Sequence, residues 1–283
     1  MLKKISLILI FLLLIFIGLF FYVKKYKQKP IIRSLDQMWG KPAKEMFPEI
    51  NNPTYVSSQK AQAFINNNDE VYVVRFGKKT YIYPANILSF HHLVNDVIEK
   101  KLLTVTLCLL SDSAIVYSRN VDGKELNLAV LGPLYYGNLV MYDKETDSYW
   151  LQLTGEAFKG KSTGKRLKIA ADIEKTTWNK VKNLDNLFVL PPVRPISFYR
   201  SFYANFKTNQ IGLQSLIKKK TVDKRLPAYE KGVGIINDNK ATFYTAKKLE
   251  NTYSVKKKAQ TYTSVYWFSW SAFFPETKII NKE

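Results

Sequence analysis

The stretch ISLILIFLLLIFIGLFFYV, residues 5 to 23, carries no charged or strongly polar side chain. As a helix rising about 1.5 Å per residue, these ~19 residues cover about 28 Å, enough to cross the hydrocarbon core of a bilayer. Lys3 and Lys4 precede the run, and Lys24, Lys25, Lys27 and Lys29 follow it. A cleaved signal peptide has a shorter apolar region and a small-residue cleavage site, whereas this run passes directly into KKYKQKP. The expectation is a single uncleaved transmembrane helix at 5–23 behind a short tail at 1–4. Everything that follows must then fold beside a membrane. Two arguments about the side oppose each other. The heavier lysine count after the run places the rest in the cytoplasm. The MLKK start has the form of an export signal, whose positive end stays inside.

The formal charge of +20 raises the question of nucleic acid. Lysine is spread along the whole chain, arginine is scarce, and no stretch reads as a helix with an Arg-rich face for bidentate base or phosphate contacts. The charge reads as a solvated surface with attraction to anionic lipid beside an anchor, and no nucleic-acid partner is expected. Lys218-Lys219-Lys220 and Lys256-Lys257-Lys258 are expected on exposed loops or strand edges. No phosphate loop, dinucleotide fingerprint, His-Glu-x-x-His or Gly-x-Ser-x-Gly occurs, which argues against nucleotide-dependent and ordinary hydrolase chemistry. With one cysteine, an intramolecular disulfide is impossible.

Beyond the anchor, 24–49 reads as a linker, 50–190 as a main β-rich domain, 191–225 as a basic aromatic connector and 226–283 as a C-terminal β segment. INNPTYVSSQKAQAFINN suggests a turn and a short helix capped by Ser57 or Ser58. EVYVVRFGKKTYIYP alternates on both sides of GKK as a hairpin. ANILSFHHLVNDVI is expected to form a short helix carrying His91 and His92. LLTVTLCLL reads as a buried strand, SAIVYSRNVDGKELNLAVLG as a hairpin around Asp122-Gly123, and NLVMYDKETDSYWLQLTG as a strand pair. VYVVRFGKKTYIYPANIL aligns without gaps to GVGIINDNKATFYTAKKL, a partial internal echo that would pack the tail on the same core. SVYWFSWSAFFPETKII suggests a buried strand and a turn. The expected fold is α+β, predominantly antiparallel β with short helices, behind the N-terminal transmembrane helix.

These stretches, taken in order, resemble a bacterial family known as domain of unknown function 3179. The similar segments are NPTYV, YPANILSFHHLVND, VTLCLLSDSAIVYSR, LVMYDKETDSYWLQLTGEA, TTW, RLP and WFSWSAFFPET. The resemblance implies a shared fold and an exported location, but it brings no activity. It favours an extracytoplasmic domain on the bacterial inner membrane. It also implies two cysteines where this chain has Cys108 and Ser111; with serine there, thiol–disulfide cycling at the site is impossible.

Three readings of the chemistry follow. A copper or zinc site would draw on the Cys108 thiolate, His91 or His92, and the thioether of Met141, because soft sulfur with imidazole suits those metals. An enzyme would use Cys108 as nucleophile, His92 as base and Asp96 as orienter, with Asp96 one helical turn beyond His92. Alternatively Cys108 is core packing, and the chain is a scaffold for a protein partner. Tyr142, Trp150, Gln152 and Glu156 also match positions of the resemblance, with the polar ends of a packed hairpin as the plain alternative. The leading expectation is a membrane-anchored binding or accessory protein with a thiol or metal site around Cys108 and a histidine.

Overall fold

The computed structural model describes residues 38–44, 46–220, 223–237, 240–245 and 261–281. The expected anchor at 5–23 and the triplet 256–258 lie outside them. No helix among the described residues is long and apolar enough to cross a membrane.

Alternation along the strands builds three β layers with a core in each of the two gaps between them. The central sheet contains, in spatial order, Ile169–Ala171, Ser113–Ser118, Lys101–Cys108, Leu93–Ile98 and Ile50–Asn51. Its pairs are antiparallel except the last, which is parallel. Val94, Ile98, Leu103, Val105, Leu107 and Val116 pack on one side with Tyr72, Val74, Tyr81 and Tyr83. Leu93, Cys108, Ile115 and Tyr117 pack on the other with Leu128, Val130, Leu139, Met141 and Trp150. Both faces are covered, which is why LLTVTLC reads as an almost unbroken apolar run.

The outer sheet supplies the second core. Its order is Met38–Trp39, Leu128–Tyr135, Asn138–Asp143, Tyr149–Leu151 and Ala157–Lys159, all antiparallel. The third layer is a hairpin sheet of Ile173–Thr177, Glu70–Phe76, Lys79–Pro84 and Leu187–Val189. Its far face packs Val71, Val73 and Ile82 against α1 (Ser58–Ala61) and α3 (Trp178–Val181) through Ala61, Trp178 and Val181. The Ser57 side chain caps α1 by accepting from the Lys60 amide at 3.4 Å.

A second hairpin sheet has the topology of the first. Its order is Thr261–Tyr266, Lys231–Asn237, Lys240–Thr245 and Lys278–Ile280. In each sheet the hairpin is flanked by an antiparallel strand on its first arm and a parallel strand on its second. The two hairpins coincide residue for residue along the echo: Glu70 with Lys231, Phe76 with Asn237, Lys79 with Lys240 and Pro84 with Thr245. Glu70 pairs with Thr177 just before Trp178 opens α3. Lys231 likewise pairs with Tyr266 just before Trp267 opens α5 (Trp267–Phe273). Trp270 of α5 lies so close to Gly234 that a Cβ there would come within 2.2 Å of its ring, so this strand accepts the helix only through glycine. The last residues of the echo, 246–249, lie outside the described ones.

Four local expectations differ from the structure. The helix carrying the histidines, α2 (Ala85–His91), stops at His91, and His92 takes φ 61°. Leu93–Ile98 is then a strand, closed by a tight turn at Glu99 and Lys100, both at positive φ. Asp122-Gly123 does turn a hairpin, but a tiny one between Asn120–Val121 and Lys124–Glu125; the long strands on either side join different sheets. The stretch read as a basic aromatic connector holds α4 (Ile196–Lys220), a 25-residue helix, and Lys218–Lys220 end that helix rather than lying on a loop or strand edge. Phe198, Phe202 and Phe206, with Tyr199 and Tyr203, already repeat every fourth residue, the spacing of a helix face. The tail, expected as strand and turn, holds α5 between two strands.

Candidate functional site

The turn Cys108–Ser113 divides two environments. Cys108 pairs with Ser113 at the end of adjacent strands, and Asp112 takes φ 50° between them. Cys108, Ser111 and Ser113 point inward, whereas Asp112 and Ala114 line a cleft.

Inward, burial pushes the Cys108 thiol above its ordinary pKa, although Ser111 and nearby backbone groups act against that. Its Sγ faces the Gly137 carbonyl at 3.8 Å. A neutral, buried thiol is a poor nucleophile. Around it lies a polar cluster with almost no solvent access. Ser113 Oγ donates to Gln152 Oε1 at 2.8 Å and contacts Ser111 Oγ at 2.9 Å. Asn138 Nδ2 reaches Ser111 Oγ and Gln152 Oε1, each at 2.9 Å. Gln152 Nε2 donates to Thr106 Oγ1 and the Ser113 carbonyl at 3.1 and 3.2 Å. Tyr117 donates to the Gln152 carbonyl. Buried polar atoms are tolerated where they are paired like this, and of these side chains only the Asn138 Oδ1 atom is buried without a partner. This cluster ties the central sheet to the outer one, across the face where Cys108 packs.

The histidines do not share a site. His91 Nδ1 lies 2.6 Å from the Pro48 carbonyl, and its Nε2 lies 2.8 Å from Tyr199 on α4. His92 donates from Nδ1 to the Leu107 carbonyl at 2.9 Å and stands edge-on to Phe47, with centroids 5.0 Å apart. Burial drives the His92 pKa down to about 4, so its ring is neutral at pH 7. Asp96 is on the opposite face of the central sheet from Cys108. It accepts from Tyr55 OH at 2.5 Å and from the Val97 amide. The expected one-turn spacing of His92 and Asp96 is lost because the helix ends before them, so Cys108, His92 and Asp96 form no relay. Met141 is fully buried between Val130 and Trp150 in the Cys108 core. Both His91 nitrogens are engaged, and among the described residues no three His, Cys, Asp or Glu side chains gather. That donor set does not fit a copper or zinc centre.

Outward, a cleft of about 310 Å³ opens where the two hairpin sheets meet the central sheet. Its apolar lining includes Ile115, Ile169, Ile173 and Val233, with hydroxyls from Thr263 and Ser264. Two lysines converge on Asp112 there. Lys175 from the first hairpin sheet binds it at 3.2 Å, and Lys231 from the second pairs with the other oxygen. Lys175 also reaches Glu70 at 3.2 Å, and Glu70 accepts from Tyr203 and Lys207 of α4 at 2.5 and 2.7 Å. Burial opposes ionisation of Glu70, but the bonds from Lys207 and Tyr203 and the Lys175 charge outweigh it and hold its pKa at about 2. Burial likewise disfavours the Lys175 ammonium, yet Asp112 and Glu70 raise its pKa.

Sequence reasoning missed this cleft. Asp112 lay within a quoted motif, but Lys175 and Lys231 come from strands far apart in the chain, and nothing in their local pattern marks them. The buried role of Gln152 depends on the sheet-to-sheet packing, which its local sequence does not mark.

No curated protein and no solved structure matches the chain. The family described as protein of unknown function (DUF3179) matches residues 44–265, a span that holds the turn, the polar cluster, α4 and the cleft. The chain belongs to that family.

Proposed function

We propose that this is a membrane-anchored bacterial binding or accessory protein with an extracytoplasmic domain, and that it recognises a small polar ligand in the cleft beside Asp112. The observation that carries the reading is the convergence of Lys175 and Lys231, from two separate sheets, on one carboxylate at the rim of a largely apolar cleft. Convergent polar groups in an apolar concavity are the usual form of a ligand site. The lysines and carboxylates nearly balance, which suits a zwitterionic or hydrogen-bonding ligand better than a strongly anionic one. In this reading the protonated thiol of Cys108 supports the turn that presents Asp112. The uncharged run at 5–23 supports the anchor.

The test is mass spectrometry of small molecules released by denaturing the purified full chain, alongside Ser264→Phe, which fills the cleft. The reading expects a compound retained by the native chain and lost from the variant at unchanged melting temperature. Identical profiles from two folded proteins would refute it.

A further inference from the structure

Among the described residues, five large apolar side chains are exposed; Phe198, at 38%, belongs to one ring cluster, and Met46 and Val193, at 59% and 63%, are chain neighbours of Phe47 and Arg194 in that cluster. The cluster is drawn from three segments. Phe47 stands edge-on to Phe90 and Phe202, with centroids 5.9 and 6.3 Å apart. Phe90 stands edge-on to Phe198 and Phe202 at 4.9 and 5.3 Å. The Arg194 guanidinium lies 5.5 Å from the centre of the Phe90 ring and 5.4 Å from that of Phe198. This surface combines apolar tips, half-buried aromatic rings and a cation held against them. That is the composition of a surface resting in the headgroup layer of a bilayer, where aromatic rings straddle polar and apolar surroundings.

The chain itself points to the occupant. Residues 24–37 span at most about 50 Å even fully extended, so an anchor at 5–23 keeps the fold close to its own membrane. The patch begins at Met46, eight residues after the described fold starts at Met38. The net charge of +20 favours approach to an anionic surface. We propose that the Met46–Phe47–Phe90–Arg194–Phe198 surface lies on the lipid headgroups of the membrane that holds residues 5–23. The proposal rests on the anchored reading above.

The test uses the full chain in vesicles of phosphatidylcholine and phosphatidylglycerol containing a nitroxide-bearing lipid. Met46→Cys and Phe198→Cys each carry an environment-sensitive fluorophore, in a Cys108→Ser background whose folding is checked by circular dichroism. Val97→Cys and Leu184→Cys, at the other two exposed apolar positions, serve as controls. Flotation in alkaline carbonate reports anchoring independently. The expected result is flotation, with nitroxide quenching at 46 and 198 at least about twofold stronger than at 97 and 184. A chain that floats but is quenched equally at all four positions overturns the lipid surface and leaves the anchor standing. A chain that does not float defeats the anchor, and this surface with it.

Discussion

Replacing Gln152 by leucine removes the centre of the buried polar cluster while keeping side-chain volume. The side chain makes four hydrogen bonds, to Ser113 Oγ, Asn138 Nδ2, Thr106 Oγ1 and the Ser113 carbonyl. At a net value of about 1 kcal/mol each, their loss costs about 4 kcal/mol. Part of that is recovered, because Ser113 Oγ and Asn138 Nδ2 keep Ser111 as a partner. An expected loss of about 3 kcal/mol corresponds to a melting point about 6–12 °C lower for a domain of this size. Urea unfolding of the full chain in detergent, followed by tryptophan fluorescence, measures it. Gln152→Glu sharpens the test. A carboxylate there has nothing to donate to the Ser113 carbonyl, and burial raises its pKa, so this variant should regain stability as the pH falls and the carboxyl takes up a proton. A loss below about 0.5 kcal/mol in Gln152→Leu, the range of an ordinary surface substitution, would refute the argument that this cluster joins the sheets.

Other consequences are equally direct. Cys108 should resist iodoacetamide in the native chain and react at once in urea, as mass spectrometry would show; rapid native alkylation would contradict its buried, protonated state. His92 has a folded pKa of about 4, below its unfolded value of about 6.5, so the unfolded chain binds the proton first. Stability should therefore be full above pH 6.5 and decline as the pH falls towards 4, and His92→Gln should flatten that window in pH-dependent urea titrations. For Glu70 the window lies lower, from about 4.3 to about 2, and Glu70→Gln should remove its share of the acid loss. Asp112→Asn leaves the Lys175 and Lys231 ammonium groups facing each other, so thermal melting should fall further than for Lys231→Met, which leaves Lys175 on the carboxylate.

The fold's strands were legible where local pattern governs them. The hairpin 70–84 announces itself by alternation around Gly77, and the buried strand 101–108 by its β-branched run. The helix α2 was legible in kind but not in length, because its end is set by His92 entering a positive φ, which the pairing of Leu93–Ile98 with 101–106 imposes from outside. The aromatic spacing of α4 was present in the sequence but was outweighed there by its basic, Pro-flanked context. At the site, Cys108 and the histidines stood out by residue type, yet their partners are carbonyls and a tyrosine that residue types do not advertise. The Asp112 cleft depends on three sheets meeting. Only the folded chain displays it.

The shared topology of the two hairpin sheets has a consequence for the order in which they can form. The second is contiguous: its four strands fall between Lys231 and Ile280 and need only short closures. The first is interrupted, since its hairpin is complete at Pro84 but its flanking strand begins only at Ile173. On a growing chain the earlier hairpin must therefore wait, with an unpaired edge, while the central and outer sheets are synthesised. Its closure is a long-range event, slow by loop entropy and exposed to wrong pairing, whereas the sheet made last can close locally. The same architecture is thus built twice, once at high contact order and once at low.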